Sequence, residues 1–497
     1  MNRFFTFVFS FCFILNGWSL WANDPQPDQY WIDFRMGQRD TVHVKAEIIL
    51  EDSLLYMSSY GPMPERWPQF IRNLAVTDSL GRRIQVQESG QKGWHLKGTD
   101  KGQKMTLEYD LILEHEQLNW PGGIDGVAYK RDWGIMLSGR SLFVMNGKRK
   151  KDLRIAIDAP SNWKVSVPWK SIKSPDQTYQ VRDLQALQES FIFTGTHQET
   201  KITRDGFTLK FVLGGAAVQK QQGRYVEVAT GVMDYYIELM GGVPKPSPGQ
   251  PMGECIVIIS QSNSVDGEVI GNHLSMFMDP EGEPFTQMMG WFMFAHEFFH
   301  LWNGKSLIFS TNSTDWFKEG ISNYYTIKAL YQIGFASEEV ILAMLDQLFY
   351  QRYIQDPGLG KLAPSDAAKG FDKDNHWGLI YGGGLFAGVA MDLEIRHQTA
   401  NSASLDDLMR RFYRDFGGTT KTIDQTDILQ GVNRLGPTDF TPFMQSYIEG
   451  TESLSLVSYL RLAGMDAQTS ENHLQIKSRP EKTELEESLW QGFLGEN

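Results

Sequence analysis

The sequence predicts a multidomain α+β protein, with an N-terminal antiparallel β-sandwich-like domain followed by a mainly helical domain. Three observations carry this expectation. Residues 28–172 contain repeated apolar–polar alternation broken by turn residues, the period of half-buried strands. Beyond residue 285 the apolar residues recur at helical spacing, through about residue 450. With 497 residues, 41% of them hydrophobic and 22% charged, the chain can bury more than one core and is not a disordered polymer.

The chain opens on Arg3 and the apolar run FFTFVFSFCFIL (4–15), with Ala22 at a plausible cleavage point. This pattern reads as a signal peptide over residues 1–22, and the run is short for an uncleaved anchor. No later segment reaches the length of an uncharged membrane helix, so no integral span is expected after signal cleavage. The expected location is periplasmic or secreted. Of the two cysteines, Cys12 lies in the signal and Cys255 opens the apolar run CIVIIS, where a buried strand thiol is expected. One remaining cysteine cannot form an internal disulfide, so the exported chain must be held by its core or by metal.

The β domain is expected over residues 23–172. Its strand candidates are TVHVKAEIIL (41–50), RIQVQ (83–87), MTLEYDLIL (105–113), LRIAID (153–158) and WKVSV (163–167). Turn signals such as Asn146-Gly147 and Pro121-Gly-Gly separate them. The second domain is expected over 173–466, with strands at 189–195, 207–215 and 255–260 around a helical stretch at 223–240. Ser404-Leu-Asp-Asp407 resembles a capping box before an amphipathic helix. Residues 467–497 are charged and polar and are expected to form a tail or a small appendage. The balance of 47 basic against 60 acidic residues gives −13, which argues against a general nucleic-acid binder.

The chemistry concentrates between Trp291 and Tyr325. His296-Glu297-Phe298-Phe299-His300 forms an HExxH motif within an apolar, Pro- and Gly-free stretch, where a helix is expected to end near Asn303-Gly304. On a helix His296 and His300 stand one turn apart on one face and can share a metal, with Glu297 beside them to hold and deprotonate a water. A catalytic zinc takes three protein ligands, and Glu319, separated from His300 by eighteen residues and early in a second helical stretch, is the candidate third. At this composition chance yields HExxH in about one such chain per hundred, and requiring the glutamate makes it about twentyfold rarer, so a pair of ordinary core histidines is the weaker reading. Tyr381 is a candidate donor to an oxyanion, with a core tyrosine as the alternative. Asn323, one turn after Glu319, is a candidate to orient a histidine ligand. The triple glycine Gly382–Gly384 has no phosphate-loop pattern after it and fits close helix packing better.

The stretches HEFFHLWNGKS (296–306), WFKEGISNYY (316–325), YGGGLFAGVAMDLEIR (381–396) and SLDDLMRRFYRDFGG (404–418) resemble the glycyl aminopeptidase family of gluzincin metallopeptidases. The likeness extends into the β region, around SYGPMPERWPQFIRNLAVTDSLGRRI (59–84). It implies a β domain followed by a thermolysin-like zinc peptidase domain. It further implies His296, His300 and Glu319 as ligands of one Zn2+ per chain, Glu297 as catalytic base and Tyr381 as transition-state tyrosine. The implied partner is a peptide or protein substrate.

The chain also departs from the family pattern. The PDZ domain that many members carry is not expected within 467–497. A substrate-gripping Gly-Leu-Glu-His stretch is replaced by GEVIGNHLS (267–275). Gly271 falls where the glutamate would be, and Glu268 is the candidate replacement for binding a substrate amino terminus. Gly383 stands in place of a lysine near the tyrosine, and the basic run after WNGK breaks at Ser306. The expected function is an exported zinc-dependent aminopeptidase. Its rivals are an endopeptidase needing no free amino terminus and, from a different class, a catalytically degenerate module that binds peptides or a partner. The residues leave substrate side-chain preference and oligomeric state open.

Overall fold

The computed structural model describes residues 27–35, 40–61, 63–90, 93–118, 120, 126–173, 177–246, 254–369 and 372–496. The signal-peptide reading, and the turn expected at Pro121-Gly-Gly, lie outside these residues.

Strict alternation makes the first layer. Thr41–Ile49 buries every second side chain, as a strand with one face on a core must. It lies in a seven-stranded sheet with the order Lys170–Lys173, Thr178–Asp183, Lys151–Asp158, Gln29–Asp33, Thr41–Ile49, Lys104–Ile112, Ile71–Asp78. Gln29–Asp33 pairs with Lys151–Asp158 in parallel, so the expected antiparallel sheet carries one parallel join. Of the RIQVQ candidate, only Val86 and Gln87 fall in a strand (Val86–Glu88), and Arg83 makes an isolated bridge to Thr77.

Two four-stranded sheets complete the domain. One contains Leu54–Tyr56 and Gly93–Leu96, the other Lys164–Ser166, Phe191–Gly195, Gly134–Ser138 and Tyr129–Arg131. The latter is buried on both faces. Ile135, Leu137 and Ile192 join the N-terminal core, while Met136, Phe191 and Phe193 pack against Val212, Ile256, Ile258 and Phe277 of the next domain. The N-terminal sheets therefore run to Gly195. The boundary expected at 172 cuts through them, because Lys170–Lys173 and Thr178–Asp183 pair as neighbouring strands of the large sheet.

The second domain is built on a five-stranded mixed sheet, ordered Gln198–Arg204, Phe207–Gly214, Glu254–Gln261, His273–Met278, Asp266–Ile270. Cys255 is fully buried in its third strand, as expected. The strand Asp266–Ile270 is an edge and lies beside a helix that starts at Pro284 and ends at Phe299, with His300 as its cap. This helix begins seven residues before the apolar run that predicts it, because Pro284 at the first turn nucleates it.

The helices Asp315–Gln332 and Gly383–Gln398 cross behind the site. A side chain on Gly384 would strike the Trp316 carbonyl and stand 3.0 Å from Gly320 Cα, and one on Gly320 would run into the Gly384 backbone. Close helix packing thus accounts for the glycines. The run Gly378–Gln398 is long and apolar enough to cross a membrane by length and composition, but it carries Asp392, Glu394 and Arg396 and is buried within the protein. The capping box at Ser404 and Asp407 forms, opening the helix Leu405–Asp415.

Residues 467–497, expected as a tail or small appendage, fold onto the domain among the described residues. Met465–Thr469 and Leu474–Ser478 form a hairpin, and Glu484–Leu494 a helix that buries Leu489, Trp490, Phe493 and Leu494. The polar composition hid an amphipathic helix whose apolar residues all face one side.

Gly384→Ala should destabilise the protein by about 1–3 kcal/mol or more through overpacking at the crossing. Gly383→Ala, whose methyl would meet only the Tyr353 ring at 3.1 Å, should cost less. Urea unfolding midpoints of the two variants check this ordering.

Candidate metal and catalytic site

Pro284–Phe299 brings the HExxH motif to the sheet edge. The Nε2 atoms of His296 and His300 lie 3.1 Å apart. Glu319, on the helix Asp315–Gln332, places Oε2 3.1 Å from His300 Nε2 and 3.4 Å from His296 Nε2. All three side chains are buried. His300 Nδ1 is 3.0 Å from the Asn303 carbonyl oxygen, which only accepts, so Nδ1 carries a proton and in the neutral ring Nε2 presents a lone pair. With the ring neutral, that lone pair and the Glu319 oxygen 3.1 Å away share no proton and can both face one cation. Ligands about 2.0–2.1 Å from one tetrahedral ion stand about 3.3–3.4 Å from each other, so the donor set fits a zinc-sized ion.

Glu297 occupies the same cluster, with a carboxylate oxygen within 4.8 Å of the histidine nitrogens. Burial pushes its pKa up to about 7, against the pull of His296. A carboxyl at this value is matched to proton transfer near neutrality. Glu319 differs. Burial raises its pKa, but Lys373, Lys318 and His300 outweigh that and hold its carboxyl well below the usual range. Lys318 and Lys373 each place an ammonium 3.2 Å from Glu319 Oε1, leaving Oε2 for the histidine side.

Tyr381 lies across the cluster, its ring centre 6.1 Å from that of His296. It sits on a π-helical turn, Gly378–Gly382, of the kind often found at functional sites. The Asp356 carboxylate accepts from the Leu379 N–H at 2.9 Å and pins this turn. Trp377 stacks on Tyr381 at 5.2 Å with a 5° tilt, and Phe349 stacks on Trp377 at 5.7 Å. Burial first, and then the Glu319 charge, raise the Tyr381 pKa far above its ordinary value, so the phenol remains a donor.

Three expected residues stand elsewhere than anticipated. Asn323 touches neither histidine; its Nδ2 donates to the Tyr381 carbonyl at 3.2 Å. Four residues beyond Glu319 it does share that residue's helix face, but this part of the face meets the tyrosine turn. The Asn303 carbonyl orients His300 instead. Gly271 is in the hairpin turn between the strands ending at Ile270 and starting at His273, with φ +58°. A side chain there would collide with the Glu189 backbone, so Gly271 is a turn residue rather than a substrate contact. Gly383 packs on Tyr353.

Glu268 lies on the edge strand flanking the motif helix, where its neighbour Gly267 would bring a side chain within 3.3 Å of Glu297 Cγ. Glu268 Oε1 accepts from Arg140 Nη1 at 3.1 Å, and Arg140 Nη2 lies 3.5 Å from Glu189. Lys373, Trp377 and Arg140 escaped the sequence reading because none belongs to a motif. Lys318 and Asn303 lay in plain sight beside the ligands.

Residues 29–196 match the peptidase M61 N-terminal domain, and residues 291–378 match M61 glycyl aminopeptidase. No curated protein matches the chain in sequence. The fold is similar to that of an aminopeptidase N family protein from Idiomarina loihiensis, with TM-score 0.76 and 18% identity over 89% of this chain and 79% of that one. It is also similar to an M1 zinc metallopeptidase from Deinococcus radiodurans, with TM-score 0.53 and 13% identity over 87% and 95% of the two chains.

Glu319→Ala should weaken metal retention by removing the charged ligand atom, whereas Asn323→Ala should retain metal. Elemental analysis after dialysis against a weak chelator reads both.

Proposed function

The chain belongs to the M61 glycyl aminopeptidase family, and on that premise we propose that it is an exported, zinc-dependent peptidase that trims residues from the amino terminus of peptides. The observation that carries this reading is the convergence of His296, His300 and Glu319 beside the carboxylate of Glu297. Export is supported by the Arg3-led apolar run at 4–15, and one zinc per chain is supported by the single cluster of three donors among the described residues.

The two histidines and Glu319 Oε2 would hold the zinc, which when bound acidifies a water and polarises a carbonyl. Glu297 holds the attacking water, takes its proton as the new O–C bond forms, and gives that proton to the leaving nitrogen as the C–N bond breaks. Tyr381, kept protonated by burial, donates to the carbonyl oxygen as it gains negative charge. The edge strand Asp266–Ile270 offers its outer backbone groups to an extended peptide. Glu268, whose Oε1 is bonded to Arg140 and whose Oε2 packs against Gly126, would receive the substrate ammonium.

A second reading, endopeptidase cleavage, is favoured by one observation. Glu268 is already paired with Arg140, so its charge is largely compensated before any substrate arrives.

Glu297→Gln should keep zinc yet lose at least about 100-fold in kcat, because the base is removed and the ligands remain. The wild-type rate should fall with decreasing pH as Glu297 takes up a proton. That ionisation lies at about 7 in the metal-free site and moves lower beside a bound cation. Unimpaired hydrolysis by Glu297→Gln would sink the assignment. Mass spectrometry of free and N-acetylated peptides separates the two readings. Single-residue losses from free peptides alone indicate an aminopeptidase, and internal cuts in both sets indicate an endopeptidase.

A further inference from the structure

The Tyr381 hydroxyl has a competitor for its proton. Glu319 bears its charge directly on the phenol, and its Oε1 faces away from the histidines. A phenol that donated to Oε1 would spend its only proton on the metal ligand and have none for a substrate oxygen.

Lys373 occupies the place where this would happen. Its Nζ lies 3.2 Å from Glu319 Oε1 and stands 5.8 Å from the centre of the Tyr381 ring, on the side of the metal-facing cluster. An ammonium only donates. A phenol oxygen that accepts from this ammonium must point its own O–H elsewhere. Glu319 Oε1 is at the same time engaged by Lys318, which is itself braced 3.3 Å from Asp315. Trp377 lies flat against the ring and confines it while Lys373 fills the space beside Glu319.

We propose that Lys373 is a positioning residue for Tyr381. By donating to the phenol oxygen and covering Glu319 Oε1, it turns the tyrosine proton toward the cleft, where the substrate oxygen gains charge. Lys373 acts through Tyr381 and does not itself touch the substrate. The inference rests on the peptidase reading above.

The test is a double-mutant cycle on the zinc-loaded enzyme, joined to one crystal structure. Lys373→Met should lower kcat about tenfold or more, with KM within about twofold. Its zinc content should remain at the wild-type level, and Lys373→Arg should recover part of the rate. In a Tyr381→Phe background the same Lys373→Met change should cost less than about threefold, since the group it positions is gone. In the structure of Lys373→Met the Tyr381 hydroxyl should lie within hydrogen-bond distance of Glu319 Oε1. Equal losses in the two backgrounds, loss of zinc, or an unmoved phenol would each overturn the proposal. If wild type and Glu297→Gln are equally inert toward peptides, the peptidase reading fails, and the crystal structure still decides where Lys373 sends the tyrosine proton.

Discussion

The site depends on a single backbone contact. Gly320 and Gly384 let two helices cross with no side chain between them, at a separation that a methyl group on either would prevent. Glu319 is the residue immediately before one glycine, and Tyr381 lies three residues before the other. The metal-facing carboxylate and the phenol are therefore set in register by the crossing itself. Asn323 bonds across it to the Tyr381 carbonyl and fixes the rotation of one helix against the other. Because interiors are packed as densely as crystals, a shift at this crossing would be transmitted to both functional groups.

Burial sharpens the chemistry of these residues and separates two carboxylates that would otherwise be alike. Glu297 and Glu319 face the same histidines, yet burial raises one to about 7 while two lysines hold the other well below its ordinary value. Lys318 and Lys373 both approach Glu319 Oε1, so the residue stays ionised and presents its second oxygen. Glu297 has no hydrogen-bonded cation of this kind and is left able to exchange a proton. Two residues of one type are thus set apart, one held ionised and one able to exchange a proton, through the positions of two ammonium groups.

The readable part of this protein was the part with a period. Alternation announced Thr41–Ile49 and Lys104–Ile112, and the HExxH spacing announced His296, Glu297 and His300 because a helix turn converts four residues into one face. Glu319 was legible through its distance from them along the chain. What escaped was set by contacts between segments far apart in sequence. Lys373 opens a single short 3-10 turn, Lys373–His376, with no period to mark it, and Arg140 reaches Glu268 across 128 residues. Gly271 was misread because a glycine in a motif position looks like a lost side chain, whereas its positive φ makes it the turn that lets the edge strand fold back. The closing helix Glu484–Leu494 was missed because its charged face dominates the composition, although Trp490 and Phe493 on its other face are buried.

The N-terminal domain shapes the cleft as well as the stability. The sheet containing Gly134–Ser138 is apolar on both faces, one in each core, so the two domains cannot part without exposing Met136, Phe191 and Phe193 to water. Burying side chains of this size is worth about 1.5–3 kcal/mol each, which makes a hinge at this junction costly. Arg140 follows directly on that sheet, and its guanidinium is consequently delivered to Glu268 at a fixed distance rather than on a mobile arm. The edge strand beside Glu297 is thus held from two sides, by the motif helix packed on Gly267 and by an arginine from the other domain. The residues that would receive one end of a substrate belong to both domains, and the chemistry to one.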